Sequence, residues 1–414
     1  MLVTLARRGM AATLTAALLL VAAPGGFGGA PAWGAECAQA DRLTSGTAWP
    51  RDMLAIDAVT RFTRGGGVLV AVLSTGVRAD NPQLAGRVLA GADAVAGRGT
   101  ANTDCTGTGT RVAGVIAAEP ADRSPVVGLA YRATVLPIRV LPDDSSGQGV
   151  ATPGAIGRGI ELALRNGAQV IVVANPAYQD GQRLRAAVAA ATARDVPVIA
   201  AAGDLGSAQD DNPTPYPAAY PDVIGVGAVG QDGQIYPKSQ HGDYVDLVAP
   251  GVAVPTLQGR GLAEADGTAL AAGYVGAAAA LIRNRSGKMP VADLTRLLTA
   301  SASPAVAGDA FGAGVVNPYA AVTGKITAKQ ARALPAVSAP AAERTGAEQR
   351  RRTAAYTGAI IAAIAVAAVL MVTAAIRRSR RQHWRPATAP PLPEYDEPIE
   401  PGPPVMLLEQ PGPN

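Results

Sequence analysis

Hydroxyl side chains set among glycines recur at three places in this chain: Ser74-Thr75-Gly76, Thr106-Gly107-Thr108-Gly109-Thr110 and Gly267-Thr268-Ala269. A serine or threonine hydroxyl becomes a nucleophile only when a neighbouring base takes its proton, so the chemistry in view is acyl transfer and its requirement is a base. The chain has 2 histidines, His241 and His383. His241 lies in Ser239-Gln-His-Gly-Asp243 with no serine and aspartate at triad spacing, and reads as a surface-loop residue. His383 follows a long apolar stretch. Ser74 and Thr108 therefore read as hydroxyls without a base, small polar residues that fill their pockets. No metal site and no cofactor is expected.

Three longer blocks surround these residues: Val70-Ala-Val-Leu-Ser-Thr-Gly-Val77, Asp104-Cys-Thr-Gly-Thr-Gly-Thr-Arg-Val-Ala-Gly114 and Gly267-Thr-Ala-Leu-Ala-Ala-Gly273. In order and context they resemble the D-[ST]-G, H-G-T-x-V-A-G and G-T-S-x-A-A-P blocks of subtilisin-like proteases, where Asp, His and Ser follow in that chain order. A fourth, Val198-Ile-Ala-Ala-Ala-Gly-Asp204, resembles the A-A-G-N segment whose Asn donates to the oxyanion. Between Ala48 and Val322 the chain is identified by this resemblance as a mycosin, one of the membrane-anchored subtilases that accompany type VII (ESX) secretion systems. The resemblance implies an α/β subtilisin-like three-layer fold with a mostly parallel central sheet. It also implies that the triad positions are vacated, holding Ser74, Thr108 and Ala269, that Asp204 stands at the oxyanion position, and that Gly273 replaces a proline.

From those four positions a lost reaction is expected. In subtilisin, loss of the triad lowers turnover about a millionfold, and loss of the oxyanion Asn costs about 100 to 1000-fold. A carboxylate at Asp204 would face the negative charge of the tetrahedral intermediate. The expectation is a non-enzyme, a structural subunit of a type VII secretion membrane complex that meets its components or other mycosin subunits. A peptide-binding module, or a serine endopeptidase with a different catalytic set, are the alternatives. After Val170-Ile171 the family continues N-x-S-x-G, where backbone pairs with an extended peptide. Here Pro176 takes the glycine position, removing an N–H and fixing φ.

These residues need elements to hold them. Apolar strand-like runs alternate with helical ones, which predicts a parallel sheet flanked by helices. Strands are expected at 68–73, 134–140, 170–174, 196–201, 223–229 and 245–249, the last leading into a Pro250-Gly251 turn. Helices are expected at 110–118, 152–166, 184–194 and 267–283, with Ala269 at the start of the long small-residue helix. With 48 glycines and only 4% aromatics, the core must pack small aliphatic side chains closely.

Targeting segments frame this domain. Arg7 and Arg8, the apolar run Met10 to Ala23 and Ala30-Pro-Ala32 predict a signal peptide over 1–35, cut after Ala32 or Ala35, with an uncleaved N-terminal anchor as the alternative. An extension (36–66), the subtilase-like domain (67–324) and a linker (325–357) follow. Residues 358–376 form an apolar stretch that spans about 28 Å as a helix, close to the hydrocarbon thickness. Arg377, Arg378, Arg380, Arg381 and Arg385 then mark the cytoplasmic side, leaving the domain extracytoplasmic and the 377–414 tail in the cytoplasm. That tail turns Pro-rich and acidic after Arg385, and reads as a solvated polyproline-like segment or a docking peptide. A net charge of +4 with arginines concentrated at the apolar segment carries no nucleic-acid signature. Export permits a disulfide, and the resemblance to mycosins implies the pair Cys37 and Cys105, pinning the N-terminal extension to the loop before Thr108.

Overall fold

Valine and isoleucine runs too short for helices form a seven-stranded sheet, and small-residue amphipathic segments cover both of its faces. The structure, a computed structural model, describes residues 37–40, 48–122, 124–143, 150–207, 211–305, 308–324 and 346–381. The expected signal peptide, most of the expected linker and the Pro-rich tail lie outside the described residues.

Two short helices, α1 (Trp49–Met53) and α2 (Ile56–Val59), precede β1 (Leu69–Ser74) and β2 (Ala92–Asp93). Next come α3 (Thr108–Ala117), β3 (Thr134–Arg139), α4 (Pro153–Arg165), β4 (Val170–Val173), α5 (Gln182–Thr192), β5 (Val198–Ala201), β6 (Val223–Val229) and β7 (Leu247–Pro250). A hairpin of β8 (Val254–Gln258) and β9 (Gly261–Ala265) leads into α6 (Thr268–Ser286), followed by α7 (Val291–Ala300) and α8 (Pro318–Thr323). The sheet order is β2-β3-β1-β4-β5-β6-β7, and every pairing in it is parallel. The expected subtilisin-like α/β architecture is therefore present.

Alternation along β1 shows how the layers form. Val70 and Val72 point into a core shared with α3 and α6, while Ala71 and Leu73 point into a second core with α4 and α5. Helix α6 is buried on nearly all sides, so its alanines and glycines are a packing requirement. A Cβ on Gly276 would lie 2.3 Å from Val172 Cγ2. Because all seven strands run the same way, the loops after β1, β4 and β5 gather at one edge of the sheet. The N-termini of α3 and α6 meet them there, the place where parallel sheets bind ligands.

Two differences from the sequence reading have local causes. Pro250 closes β7 instead of starting a turn; β7 ends the seven-stranded sheet, and the next N–H toward β6 comes from Gly251, which donates to Val229 O at 2.9 Å. The hairpin β8–β9 was not expected, because Pro255 and the Gln258-Gly259-Arg260-Gly261 turn interrupt its alternation. It packs beside α3, where Thr256 Oγ1 donates to Arg111 O at 2.7 Å.

The chain divides into two units, with the second running from Ser338 onward. Its described element is α9 (Gly346–Arg381), a helix of 36 residues. The helix begins before the expected start at 358, since Ala, Glu, Gln and Arg in its first turns are strong helix formers. Thr357–Arg380, 24 residues containing an 18-residue window of mean hydropathy 2.8, is long and apolar enough to cross a membrane.

Candidate functional site

The site is built from the end of β1. Ser74 closes the strand, fully buried, and its Oγ donates to Asn175 Oδ1 at 2.8 Å just past β4. Gly76 then turns the chain with φ 117°, and a Cβ there would lie 2.1 Å from Thr103 O. The first turn of α3 presses onto this corner: a Cβ on Gly109 would stand 1.8 Å from Gly76 O and 3.2 Å from Ser74 Cβ. Thr108 opens that helix.

Asp104 organises the corner. Its Oδ1 accepts from Thr75 Oγ1 at 2.9 Å and Gly107 N at 2.7 Å, and its Oδ2 from Thr110 N at 2.8 Å and Thr110 Oγ1 at 2.6 Å. A buried carboxylate thus satisfies the orphan N–H groups at the start of α3. Burial pushes its carboxyl above the ordinary range, although the four donors pull the other way.

Asp204 plays the matching part for α6. Its Oδ1 accepts from Thr268 N at 2.8 Å, while Gly203 N donates to Thr268 Oγ1 at 3.0 Å. Gly267, at φ 134°, offers no cap of its own, and a Cβ there would lie 2.8 Å from Asp204 Oδ2. The carboxylate therefore caps the positive end of the longest helix of the domain. Burial raises its pKa; bonds from Thr268 and the charge of Lys238 oppose the rise. Nearby Tyr236 is pushed up to about 12, by burial first and then by the charges of Asp204 and Asp266.

Thr108, Asn175, Asp204, Thr268 and Ala269 line one cleft of about 330 Å3 between α3 and α6. The structure thus brings together the positions singled out in sequence, with Ser74 just behind Asn175. Pro176, Val150 and Leu270 form apolar walls, and Arg111 and Asp266 supply charge at the rim. His241 is elsewhere and exposed, its N donating to Asn212 Oδ1 at 3.1 Å. Among the described residues no group of three or more His, Cys, Asp or Glu is placed to hold a metal.

Cys37 and Cys105 are disulfide-bonded with Cα atoms 4.5 Å apart. Ala38 N donates to Cys105 O at 2.9 Å, and Gln258 Nε2 donates to Ala38 O at 3.0 Å. Gln258 Oε1 in turn accepts from Arg111 Nε at 2.6 Å, so the N-terminal segment reaches the rim of the cleft through two side chains. Asp143 Oδ1 receives Cys105 N and Thr106 N at 2.5 and 3.1 Å. Arg139 ties this loop to β1: its Nη2 meets Asp143 Oδ2 at 3.1 Å and Thr103 O at 2.8 Å, and its Nε donates to Thr75 O at 2.9 Å.

Sequence reading missed Asp104, Asn175, Arg139 and Asp143. An Asp three residues before Gly107 and six before Thr110 carried a capping signal. A lone arginine ending the buried 134–140 run was a second signal. Asn175 and Asp143 gave none.

A profile of the Subtilase family, Peptidase_S8, matches residues 65–319. The chain belongs to the subtilase family. This subtilase is 36% identical over 261 residues to Subtilisin DY of Bacillus licheniformis, covering 62% of this chain and 92% of that protein. To an intracellular serine protease of Paenibacillus polymyxa it is 37% identical over 249 residues, 59% of this chain and 75% of the relative. Among solved structures, a serine protease MycP1, described as an essential component of the type VII (ESX-1) secretion system, aligns with TM-score 0.60 and 30% identity, covering 70% of this chain and 92% of that one. The MycP3 protease from the type VII (ESX-3) system aligns with TM-score 0.58 and 27% identity, covering 70% and 92%.

These similarities correct the expectation of a non-enzyme. The subtilase's relatives are proteases, and family function stands against excluding catalysis from four positions. Nothing in the similarities shows the catalytic residues to be replaced. Asp204, read in sequence as standing at the oxyanion position, also caps α6.

Proposed function

We propose that this subtilase is a membrane-anchored component of a type VII secretion apparatus, with its domain on the extracytoplasmic side and its C-terminal tail in the cytoplasm. One observation carries the reading: a subtilase domain alignable over nearly the whole of the MycP1 and MycP3 chains shares its chain with a helix apolar enough to cross a membrane. Arg377, Arg378 and Arg380 at the end of that helix support the orientation. The partners it would meet are the membrane components of the secretion complex and further mycosin-like subunits. Peptide-bond hydrolysis comes to this chain from its relatives. The cleft between α3 and α6 is where an extended peptide would lie, with Val150, Pro176 and Leu270 as its apolar contacts.

Affinity purification of the full chain from native membranes, followed by mass spectrometry, tests the assembly. Co-purifying type VII membrane components are expected, and a chain truncated before Gly346 should lose them and fail to restore secretion in a deletion strain. Full restoration by the truncated chain would overturn the anchored reading. Labelling by a fluorophosphonate probe, with casein cleavage measured on the same sample, reads the family's chemistry separately.

A further inference from the structure

The end of the domain opposite the cleft carries a cluster that the cleft does not use. Residues 61–67 turn into β1 there, between the loop before β3 and the C-terminal end of α6. Arg61, Phe62, Arg64, Arg132 and Arg285 are exposed on it, Phe62 to 45%. Rings and guanidinium groups alternate: Arg64 lies over Tyr131 at 5.8 Å and Arg285 over Phe62 at 5.5 Å. Phe62 meets Tyr319 of α8 edge-on at 5.8 Å. The pieces belong to one surface, since Arg132 N donates to Arg64 O at 2.9 Å and Asn284 Nδ2 to Gly66 O at 2.6 Å.

Three of the four guanidinium groups here are without a carboxylate, while Arg132 pairs with Glu119 at 3.8 Å. Arg61, Arg64 and Arg285 form no ion pair with any described residue. The carboxylates at the margins are engaged: Asp57 by Arg51, Glu119 by Arg87 at 2.5 Å, and Asp195 by Lys288 at 3.4 Å. Packed inside a protein interface, such arginines would need carboxylate partners. Against an anionic headgroup layer they need none, and the exposed Phe62 ring among them, flanked by half-buried Tyr131 and Tyr319, suits the boundary between headgroups and acyl chains. Helix α8, which supplies Tyr319, is where the described domain ends at Gly324, and the same chain continues to the apolar helix at Thr357.

The geometry points to this face as a docking surface for anionic phospholipid headgroups of the membrane that the chain is anchored in, an inference that rests on the anchored reading above. It orients the domain. Helix α6 begins at the cleft with Thr268 and ends at this face with Ser286, and its 19 residues span about 28 Å, so the cleft opens away from the bilayer.

The full chain, reconstituted in nanodiscs of phosphatidylcholine alone or mixed with phosphatidylglycerol, provides the test by amide hydrogen exchange. Amides at 61–67, 130–133 and 284–288 should exchange about tenfold more slowly in the anionic discs, within reach of three cations that each add about fivefold in affinity near such a surface. The triple variant Arg61→Gln, Arg64→Gln, Arg285→Gln should return them to the rates seen in phosphatidylcholine. Equal rates in the two lipids would overturn the inference. So would protection that survives the triple variant, or protection that grows with protein concentration in detergent, the mark of a second copy. Failure of the chain to enter discs at all would sink the anchored reading and this one with it.

Discussion

Asp204 Oδ1 lies 2.8 Å from Thr268 N, so a carboxylate from the loop after β5 closes the N-terminus of α6. The cap comes from a residue distant in sequence because Gly267, held at φ 134°, has no side chain to supply one. Asp204→Ala should therefore cost about 1 to 2 kcal/mol, the usual worth of a cap. Asp204→Asn keeps an acceptor oxygen and should cost less than half as much. Urea unfolding of the exported domain distinguishes them, and equal losses for the two variants would argue against capping.

Stability should fall as pH rises out of the acidic range. Asp104, Asp204 and Asp246 all have carboxyls raised by burial. A raised acid binds more protons folded than unfolded, so its cost enters as pH climbs from the unfolded value of about 4 through the folded one, and is fully present above it. Lowered groups oppose this only at lower pH. Asp80, held chiefly by Arg78, and Glu161, held chiefly by Arg183, add stability that is lost as pH drops through their depressed values. Unfolding midpoints should decline as pH climbs above about 4, more gently in Asp204→Asn. A midpoint rising over that range would contradict the assignment.

Asp104→Asn should destabilise the domain by about 2 kcal/mol or more, although it removes a buried charge. Both carboxylate oxygens face backbone N–H groups, from Gly107 and Thr110. An amide must turn its NH2 toward one of them and leave donors opposed. Thermal unfolding that matches the unsubstituted chain would refute the network.

Removing Arg139 leaves two carboxylates behind. Asp93 and Asp143 side chains are 11% and 12% exposed and both contact its guanidinium. Arg139→Met should cost about 3 to 5 kcal/mol, the penalty for unpaired and largely buried charge. Arg139→Lys should recover only part of it, because an ammonium cannot reach Thr75 O, Thr103 O and both carboxylates together. Full recovery by lysine, read from denaturation midpoints, would deny the fork geometry its role.

Non-reducing mass spectrometry of exported protein should find Cys37 linked to Cys105. With a sequence separation of 68, the chain-entropy model gives the bond roughly 4 kcal/mol. Cys37→Ser should lose up to that amount and free Gln258 from Ala38. Two free thiols in the exported sample would overturn the pairing.

The residues themselves determined the sheet and its helices. The runs at 134–140, 170–174 and 223–229 are apolar because both faces of a parallel strand are buried, and that requirement is local and readable. The Ala and Gly of α6 likewise announced close packing before any partner was visible. What the carboxylates do was decided only by tertiary structure. Asp204 is 64 positions from the N–H it caps, and Arg139 reaches Thr75 across 64 more, so no local pattern records either bond. The same holds for the arginine face, where residues 61–64, 132 and 285 become neighbours only once β1, β3 and α6 pack. Spacing along a chain reports periodicity and burial. Which charge meets which donor depends on how distant segments fold together, and that is where the capping role of Asp204 came into view.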